Sequence, residues 1–357
     1  MFPPICHIYT PAAPRYNRNI QRKGAVENLK KILFDRPKSA VLAEVPDRMP
    51  EPGELRIQMA YSALSAGTER ASLTMGTDGF PRASGYSGSG VVTHVGAGVT
   101  EFAVGDRLMV HGGGHQQFCT VPQSEILVPL PDTVRMEDGA LVIVAGFSLA
   151  GVRKARIELG ESAAVVGLGL LGLFAIQYLK AVGAWPIIAV DFSAERRALA
   201  QQLGADFCLD PAAPDYTESV MRITRQKGVN AVIEVTGNGA ALNQALRYTA
   251  KFGRVVLLGC TRVPTEVNFY RDVHWPGIEL IGAHSGARPQ LESRPGCWTE
   301  KDDCIVTIDM LAAHRLDFAP IIHRIVSPAQ AHEVYGQLVH DREFPVGVLF
   351  DWAHFSG

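Results

Sequence analysis

The chain has 357 residues, enough for two domains, and its 47% hydrophobic and 20% charged content is ordinary for a soluble globular protein. A net charge of −2 gives no basic field for nucleic acid, and no run of 18 apolar residues offers a membrane span. Pro3, Pro4, Pro11 and Pro14 replace any apolar secretory leader, and six scattered cysteines form no CxxC pair, so reduced thiols in a cytoplasm are the expectation.

Taken in order, residues 22–34 carry a short amphipathic pattern (Val26, Leu29, Ile32, Leu33) that predicts one helix. Ser39 to Val45 and Glu54 to Met59 read as two strands around a Pro- and Gly-rich turn. Residues 90–95, 104–110 and 117–121 read as further strands punctuated by glycine, which predicts a β-rich, barrel-like unit. From about residue 138 the pattern changes. Helices are expected near 137–157, 171–182, 194–203, 215–226 and 239–250, and strands at 163–167, 186–190, 206–209, 231–235, 254–259 and 279–284. Six strands alternating with helices predict a doubly wound parallel sheet. A polar, proline-containing loop follows, then helices over 301–313 and 328–339 and a closing strand over 346–350 that is expected to rejoin the first unit.

The most informative stretch is Ala163-Ala164-Val165-Val166-Gly167-Leu168-Gly169-Leu170-Leu171-Gly172. It reads as a strand, a tight turn at Gly167, a close backbone approach at Gly169 and a helix packed close at Gly172. A pyrophosphate would rest on the free N–H groups that open this helix, at Leu170 and Leu171. Asp191 ends the next strand, 19 residues after the last glycine. An acid there accepts bonds from a ribose 2′-hydroxyl and repels a 2′-phosphate, which favours NAD over NADP. Arg196 and Arg197 read as the solvated face of a helix starting after Ser193. Thr236 and Gly259, at the ends of two later strands, complete the expected cofactor contacts.

The order of these motifs resembles the medium-chain dehydrogenase/reductase superfamily, the alcohol-dehydrogenase-like one, over nearly the whole chain. Carrying the resemblance are Val45-Pro46 to Pro52-Gly53-Glu54, Gly88-Ser89-Gly90-Val91-Val92, Val104-Gly105-Asp106-Arg107, the Gly167–Gly172 fingerprint, Leu203-Gly204-Ala205-Asp206 and Gly253-Arg254-Val255-Val256. It implies an α/β protein with a GroES-like β-barrel catalytic domain and a Rossmann domain. The expected division is 1–137, 138–286 and a return over 287–357, with the active site in the cleft. Ser65-Ala66-Gly67-Thr68-Glu69 resembles a subgroup with a Ser-x-Gly-Thr-Glu signature, which includes bacteriochlorophyllide-type and sugar- or polyol-linked dehydrogenases.

Zinc-dependent members hold the metal with a Cys, the His of a Gly-His-Glu motif and a later Cys or Glu. By the resemblance these positions fall here on Ser65, on Tyr86 of Gly85-Tyr86-Ser87, and near Ala145. The lobe with four closely spaced cysteines is also missing. No metal is therefore expected. The residual alternative recruits Glu69, His111 and His115 into another metal site, since two histidines lie four apart beside three glycines.

Without a Lewis acid, some other group must polarise the substrate oxygen. Tyr86 is the first candidate as donor. Glu69, near Ser65, reads either as a base or as a group that bonds backbone N–H at a helix start. His111 and His115 read as proton relays or as solvent-exposed or substrate-facing loop residues, and His284, at a strand end near the expected nicotinamide side, as a further candidate or an interface residue. The segment Arg288 to Thr299, with Arg, Glu and Trp298, suits a polar substrate with an aromatic face for a sugar, or is an ordered connector. The expected activity is hydride transfer between NAD(H) and a hydroxyl/carbonyl pair on a small sugar- or polyol-like substrate, by a homodimer. Alternatives are a quinone or enoyl reductase acting on a conjugated C=C, and a cofactor-binding protein without catalysis.

Overall fold

Alternating burial builds the first part of the chain. The computed structural model describes residues 28–75, 79–341 and 343–355. β1 (Asn28–Arg36) and β2 (Ser39–Pro46) form an antiparallel hairpin, joined at its edge by β4 (Arg82–Ala83). β3 (Glu54–Ala63) buries Leu55, Ile57 and Met59 at a spacing of two. It leads into α1 (Ala66–Met75). β5 (Ser87–Val95), β6 (Arg107–His111), β7 (Phe118–Pro122) and β8 (Leu127–Pro129) follow, in a seven-stranded sheet that runs β15-β16-β3-β5-β6-β8 with β7 paired to β3. Its members β15 (Ile322–Val326) and β16 (Gly347–Asp351) come from the end of the chain. That return was expected for residues 346–350; β15 and β8 were not foreseen.

One expectation fails here. The described part of the helix predicted over 22–34 is strand β1, and residues 22–27 lie outside the described residues. Leu29 and Ile32 are three apart, as on a helix, but Ile32 and Phe34 bury at strand spacing against the barrel core. The β2 partner satisfies the backbone, and pairing overrides a four-residue apolar pattern.

The second unit follows the predicted alternation. α2 (Met136–Gly139) and α3 (Val142–Ala155) split the one helix expected over 137–157. Then come β9 (Ala163–Val166), α4 (Leu170–Val182), β10 (Ile187–Val190), α5 (Ala194–Leu203), β11 (Phe207–Leu209), α6 (Tyr216–Ile223), β12 (Val229–Glu234), α7 (Gly239–Tyr248), β13 (Thr249–Leu257) and β14 (Glu279–Gly282). All pairs are parallel, in the order β11-β10-β9-β12-β13-β14. Val165, Ala189 and Ile233 enter the core on one face; Val166, Val190 and Val232 enter the other. Each such Val or Ile stabilises the sheet by roughly 1.5–3 kcal/mol. The strand order reverses between β9 and β12, which opens a crevice beyond their carboxyl ends. α8 (Glu300–Ala312) packs on α3, and α9 (Ala331–His340) packs on β2.

Candidate active site and cofactor crevice

The glycine turn after β9 is shaped by contacts that no side chain could share. Gly167 has φ +97°, and a Cβ there would lie 2.8 Å from Thr236 Cγ2. A Cβ on Gly172 would lie 2.0 Å from the Gly167 carbonyl oxygen, and one on Gly259 would lie 2.4 Å from that of Val235. Gly169 differs: its missing Cβ faces open space. Gly169 is also the N-cap of α4, with no side-chain cap and no acid in the first turn. The backbone donors of Leu170 and Leu171 therefore open onto free volume at the positive end of a 13-residue helix, a fit for a pyrophosphate.

Asp191 lies beside this turn. Its Oδ2 accepts the Leu168 N–H at 2.7 Å and its Oδ1 accepts the Ser193 N–H at 2.9 Å. A carboxylate offers about four lone-pair sites, so two remain for ribose hydroxyls. Arg196 and Arg197 are not a free solvated face, contrary to expectation. Arg197 donates to the carbonyls of Asp191 and Phe192, and Arg196 donates to that of Phe344. Arg197 also pairs with Asp210 at 3.4 Å, so both guanidinium groups are held by named partners. Thr236 and Gly259 lie where β12 and β13 end; Thr236 Oγ1 donates to buried Glu234 and accepts the Asn238 N–H.

Across the cleft, Tyr86 donates its hydroxyl proton to Ser65 Oγ at 2.9 Å. Burial pushes the Tyr86 phenol up to about 12, with the nearby Glu69 and Glu300 charges adding to it against the bonds to Ser65 and Thr68. The group is an O–H donor at neutral pH. Its ring lies 6.3 Å from His111 and 6.0 Å from Phe147. His111 Nδ1 meets Glu125 at 3.0 Å. Burial opposes protonation of His111, but Glu125 and the charge of Glu300 outweigh it, and its pKa is raised. On α3, Ala145 is buried in the core, and Phe147 is the residue of that helix that reaches Tyr86.

Glu69 takes the second of its two expected readings, bonding backbone N–H at the start of α1, and His115 departs from its expected solvent- or substrate-facing position. Glu69 is 3% exposed. Its Oε1 accepts the Ser65 N–H at 2.7 Å, so it closes the first turn of α1 much as a capping box does. It also bonds His115 Nε2 at 3.2 Å and the Tyr335 hydroxyl. His115 is fully buried, not solvent- or substrate-facing. Its Nδ1 lies 2.6 Å from Ser62 Oγ, which accepts from Trp352 Nε1 at 2.8 Å. Every polar atom of this chain is partnered if His115 donates from Nε2 and Ser62 donates to Nδ1. A Cβ on Gly85 would strike the His115 ring at 2.6 Å, which explains the glycine before Tyr86. Glu69 therefore positions Ser65 and is no free base. His111 and His115 have separate partners, Glu125 and Glu69, so they do not join with Glu69 in one metal site.

His284 is exposed and accepts the Gly286 N–H. The Trp298 ring is covered by the Arg153 guanidinium at 3.7 Å, so that face is taken. Arg288, which opens the segment expected to suit a polar substrate, lies over Phe147 at 5.6 Å; Glu300, at the start of α8, was not singled out by sequence. Arg288 is linked to Tyr86 only through Phe147, whose ring both of them neighbour.

Among the described residues no three His, Cys, Asp or Glu side chains gather as a metal-binding group. The positions that the resemblance matches to zinc ligands do not suit the metal: Ser65 and Tyr86 bond each other, and Ala145 has no donor atom.

Two family models match the chain: an alcohol dehydrogenase GroES-like domain over residues 51–132 and a zinc-binding dehydrogenase domain over 171–294. The chain is a medium-chain dehydrogenase/reductase of the alcohol-dehydrogenase-like superfamily. Within it, the chain is similar to D-guloside 3-dehydrogenase of Escherichia coli K12, 27% identical over 352 residues, covering 90% of this chain and all of the relative. It shares its fold with 2R,3R-butanediol dehydrogenase of Bacillus subtilis, at a TM-score of 0.78, 24% identity and coverage of 90% and 99%. A protein of the zinc-binding dehydrogenase type from Sinorhizobium meliloti 1021, solved with NADP bound, superposes with a TM-score of 0.79 at 21% identity, covering 91% and 99%. Members of the superfamily transfer hydride to and from a pyridine nucleotide, and the open crevice at Gly169 suits one.

Proposed function

We propose that this enzyme oxidises or reduces a hydroxyl/carbonyl pair on a sugar- or polyol-like substrate, with NAD(H) and without a catalytic metal. The observation that carries the reading is the Tyr86–Ser65 pair, where a protonated phenol and a hydroxyl meet at the matched ligand positions. A bound nicotinamide dinucleotide supplies the hydride chemistry. The chain's own residues hold the substrate oxygen. Tyr86 keeps Ser65 oriented as acceptor, which leaves the Ser65 proton to point at that oxygen. Glu69, from beneath, fixes the Ser65 backbone. Charge that develops on the oxygen meets one preorganised O–H donor, Ser65, which Tyr86 holds in place in a largely buried site. The likeness to a sugar dehydrogenase supports the substrate class.

Asp191 supports NAD, because its carboxylate, held by two backbone N–H groups at the turn, would accept from a ribose 2′-hydroxyl and repel a 2′-phosphate. Titration of the protein with NADH and NADPH, read by cofactor fluorescence, tests this. NADH should bind more tightly and Asp191→Ala should narrow the gap; equal affinities in the unmutated protein would contradict it. We also place the enzyme in the cytoplasm, a reading supported by five described cysteines that are all free thiols. The cofactor-binding part is taken as residues 138–286, with catalytic parts before and after it.

A further inference from the structure

The Tyr86–Ser65 pair is backed by one buried carboxylate. Glu69 takes three donors. The Ser65 N–H reaches Oε1 at 2.7 Å, the Tyr335 hydroxyl reaches Oε2, and His115 Nε2 lies between them, 3.3 Å from Oε1 and 3.2 Å from Oε2. A carboxylate offers about four lone-pair sites, so both oxygens are held and the group cannot turn. Glu69, His115 and Tyr335 are all buried. Burying a carboxylate costs stability unless it is paired, and an apolar side chain would fill the same volume without that cost. What the arrangement adds is orientation.

His115 reaches both members of the pair. Through Glu69 it stands behind the Ser65 N–H. Its ring also fills the space where a Gly85 Cβ would be, with Cδ2 2.6 Å away, and Gly85 precedes Tyr86. The loop that carries His115 is bonded on both sides of Tyr86. The His115 N–H donates to the Ser84 carbonyl at 2.9 Å, and the Gly112 N–H donates to the Tyr86 carbonyl at 2.8 Å. The rings of His115 and Tyr335 share one support, Phe350 of β16, at centroid distances of 5.0 Å and 5.9 Å. Trp352, just beyond β16, reaches His115 through Ser62. The end of the chain thus braces a pair that lies just before α1 and β5.

We infer that His115 and Tyr335 are positioning residues, which act through Glu69 to hold Ser65 against Tyr86 in the geometry that receives the substrate oxygen. The inference rests on the dehydrogenase reading above, and neither residue touches substrate in it. Loss of either donor frees the carboxylate to turn, Ser65 moves with its N–H, and the 2.9 Å bond from Tyr86 breaks.

Three substitutions test this. Tyr335→Phe removes one hydroxyl and keeps the ring against Phe34 and Phe350. His115→Leu keeps bulk alone, and His115→Gln keeps a donor toward Glu69. NAD reduction is followed with a hexitol and a methyl hexopyranoside, in each variant alone and in a Ser65→Ala background. Tyr335→Phe and His115→Leu should lower kcat about tenfold to a hundredfold, as a displacement of about 1 Å does, with KM and NADH affinity unchanged. His115→Gln should recover most of that loss. In the Ser65→Ala background the same substitutions should lower kcat no further, because the hydroxyl they position is gone. Crystal structures of the unmutated protein and Tyr335→Phe give a reading independent of turnover: Tyr86 and Ser65 should move beyond hydrogen-bonding distance in the variant. Three outcomes overturn the inference: a Tyr86–Ser65 bond retained in Tyr335→Phe, variants with full kcat and only a lowered melting temperature, or losses that add in full to that of Ser65→Ala. Failure of the underlying reading looks different. The unmutated protein would then reduce no NAD with any hydroxyl compound, while the crystal structures would still decide the positioning.

Discussion

Tyr86 bears most of the weight at the residue scale. Its phenol, pushed up to about 12 by burial, keeps its proton across the working pH range, so it acts as donor and not as phenolate base. Tyr86→Phe removes one hydroxyl and keeps the ring against Phe147 and His111. Turnover should fall about 10²–10³-fold, as when an oxyanion-hole donor is lost, with NADH affinity unchanged. Steady-state rates and a cofactor titration measure both. Near-normal turnover would show that Ser65 needs no help from Tyr86, or that His111 holds the substrate oxygen instead. The His111–Glu125 pair adds a pH dependence. The folded pKa of His111 is raised above 6.5, so the pair's stabilisation is fully present below about pH 6.5 and is lost as pH rises through the raised value. Melting temperature against pH should show that loss, and His111→Gln should flatten it. Sequence reached Ser65, Tyr86, His111 and Glu69 because each sits in or beside a motif. It did not reach Tyr335, Ser62 and Trp352 behind Glu69, or Glu125 behind His111. These partners lie 14 to 290 residues apart along the chain, with no spacing rule to link them.

Elements that repeat a local pattern were legible; elements made by pairing alone were not. The six parallel strands and their helices follow from apolar runs broken by capping residues and glycines, such as Ser193 before α5 and Gly183 and Gly204 after α4 and α5. β1 escaped because its apolar residues fit a helix as well as a strand until β2 is placed against them. β8 and β15 are short, of three and five residues, and need partners distant in sequence. The glycine turn separates two roles that its sequence runs together. Gly172 is closed by the Gly167 carbonyl, whereas Gly169 opens on free space. Gly172→Ala should therefore lower the melting temperature, because backbone must shift to admit the Cβ. Gly169→Ala, at φ −74°, should leave melting intact and weaken NADH binding. Thermal melts paired with cofactor titration separate the two; the same loss of stability in both variants would show that the turn serves packing alone.

For the whole molecule, β14 is the last strand of the parallel sheet, with no further strand beside it among the described residues, and exposed Phe269, Tyr270 and Trp275 come just before it. An edge of this kind favours pairing with its own copy about a two-fold axis, so light scattering at micromolar concentration should give a dimer; a monomer would contradict that. Fold and superfamily were legible across the chain because its motifs come in a fixed order. The chemistry of the cleft was less so, since the matched ligand positions say what is missing and only packing shows what stands there instead. The central claim is that Tyr86 and Ser65 do the work elsewhere given to zinc. The most direct measurement follows NADH formation from a hexitol or hexoside by protein stripped with a chelator, before and after zinc is restored. The account predicts the same rate in both samples. A rate that vanishes on stripping and returns with one zinc per chain would contradict it.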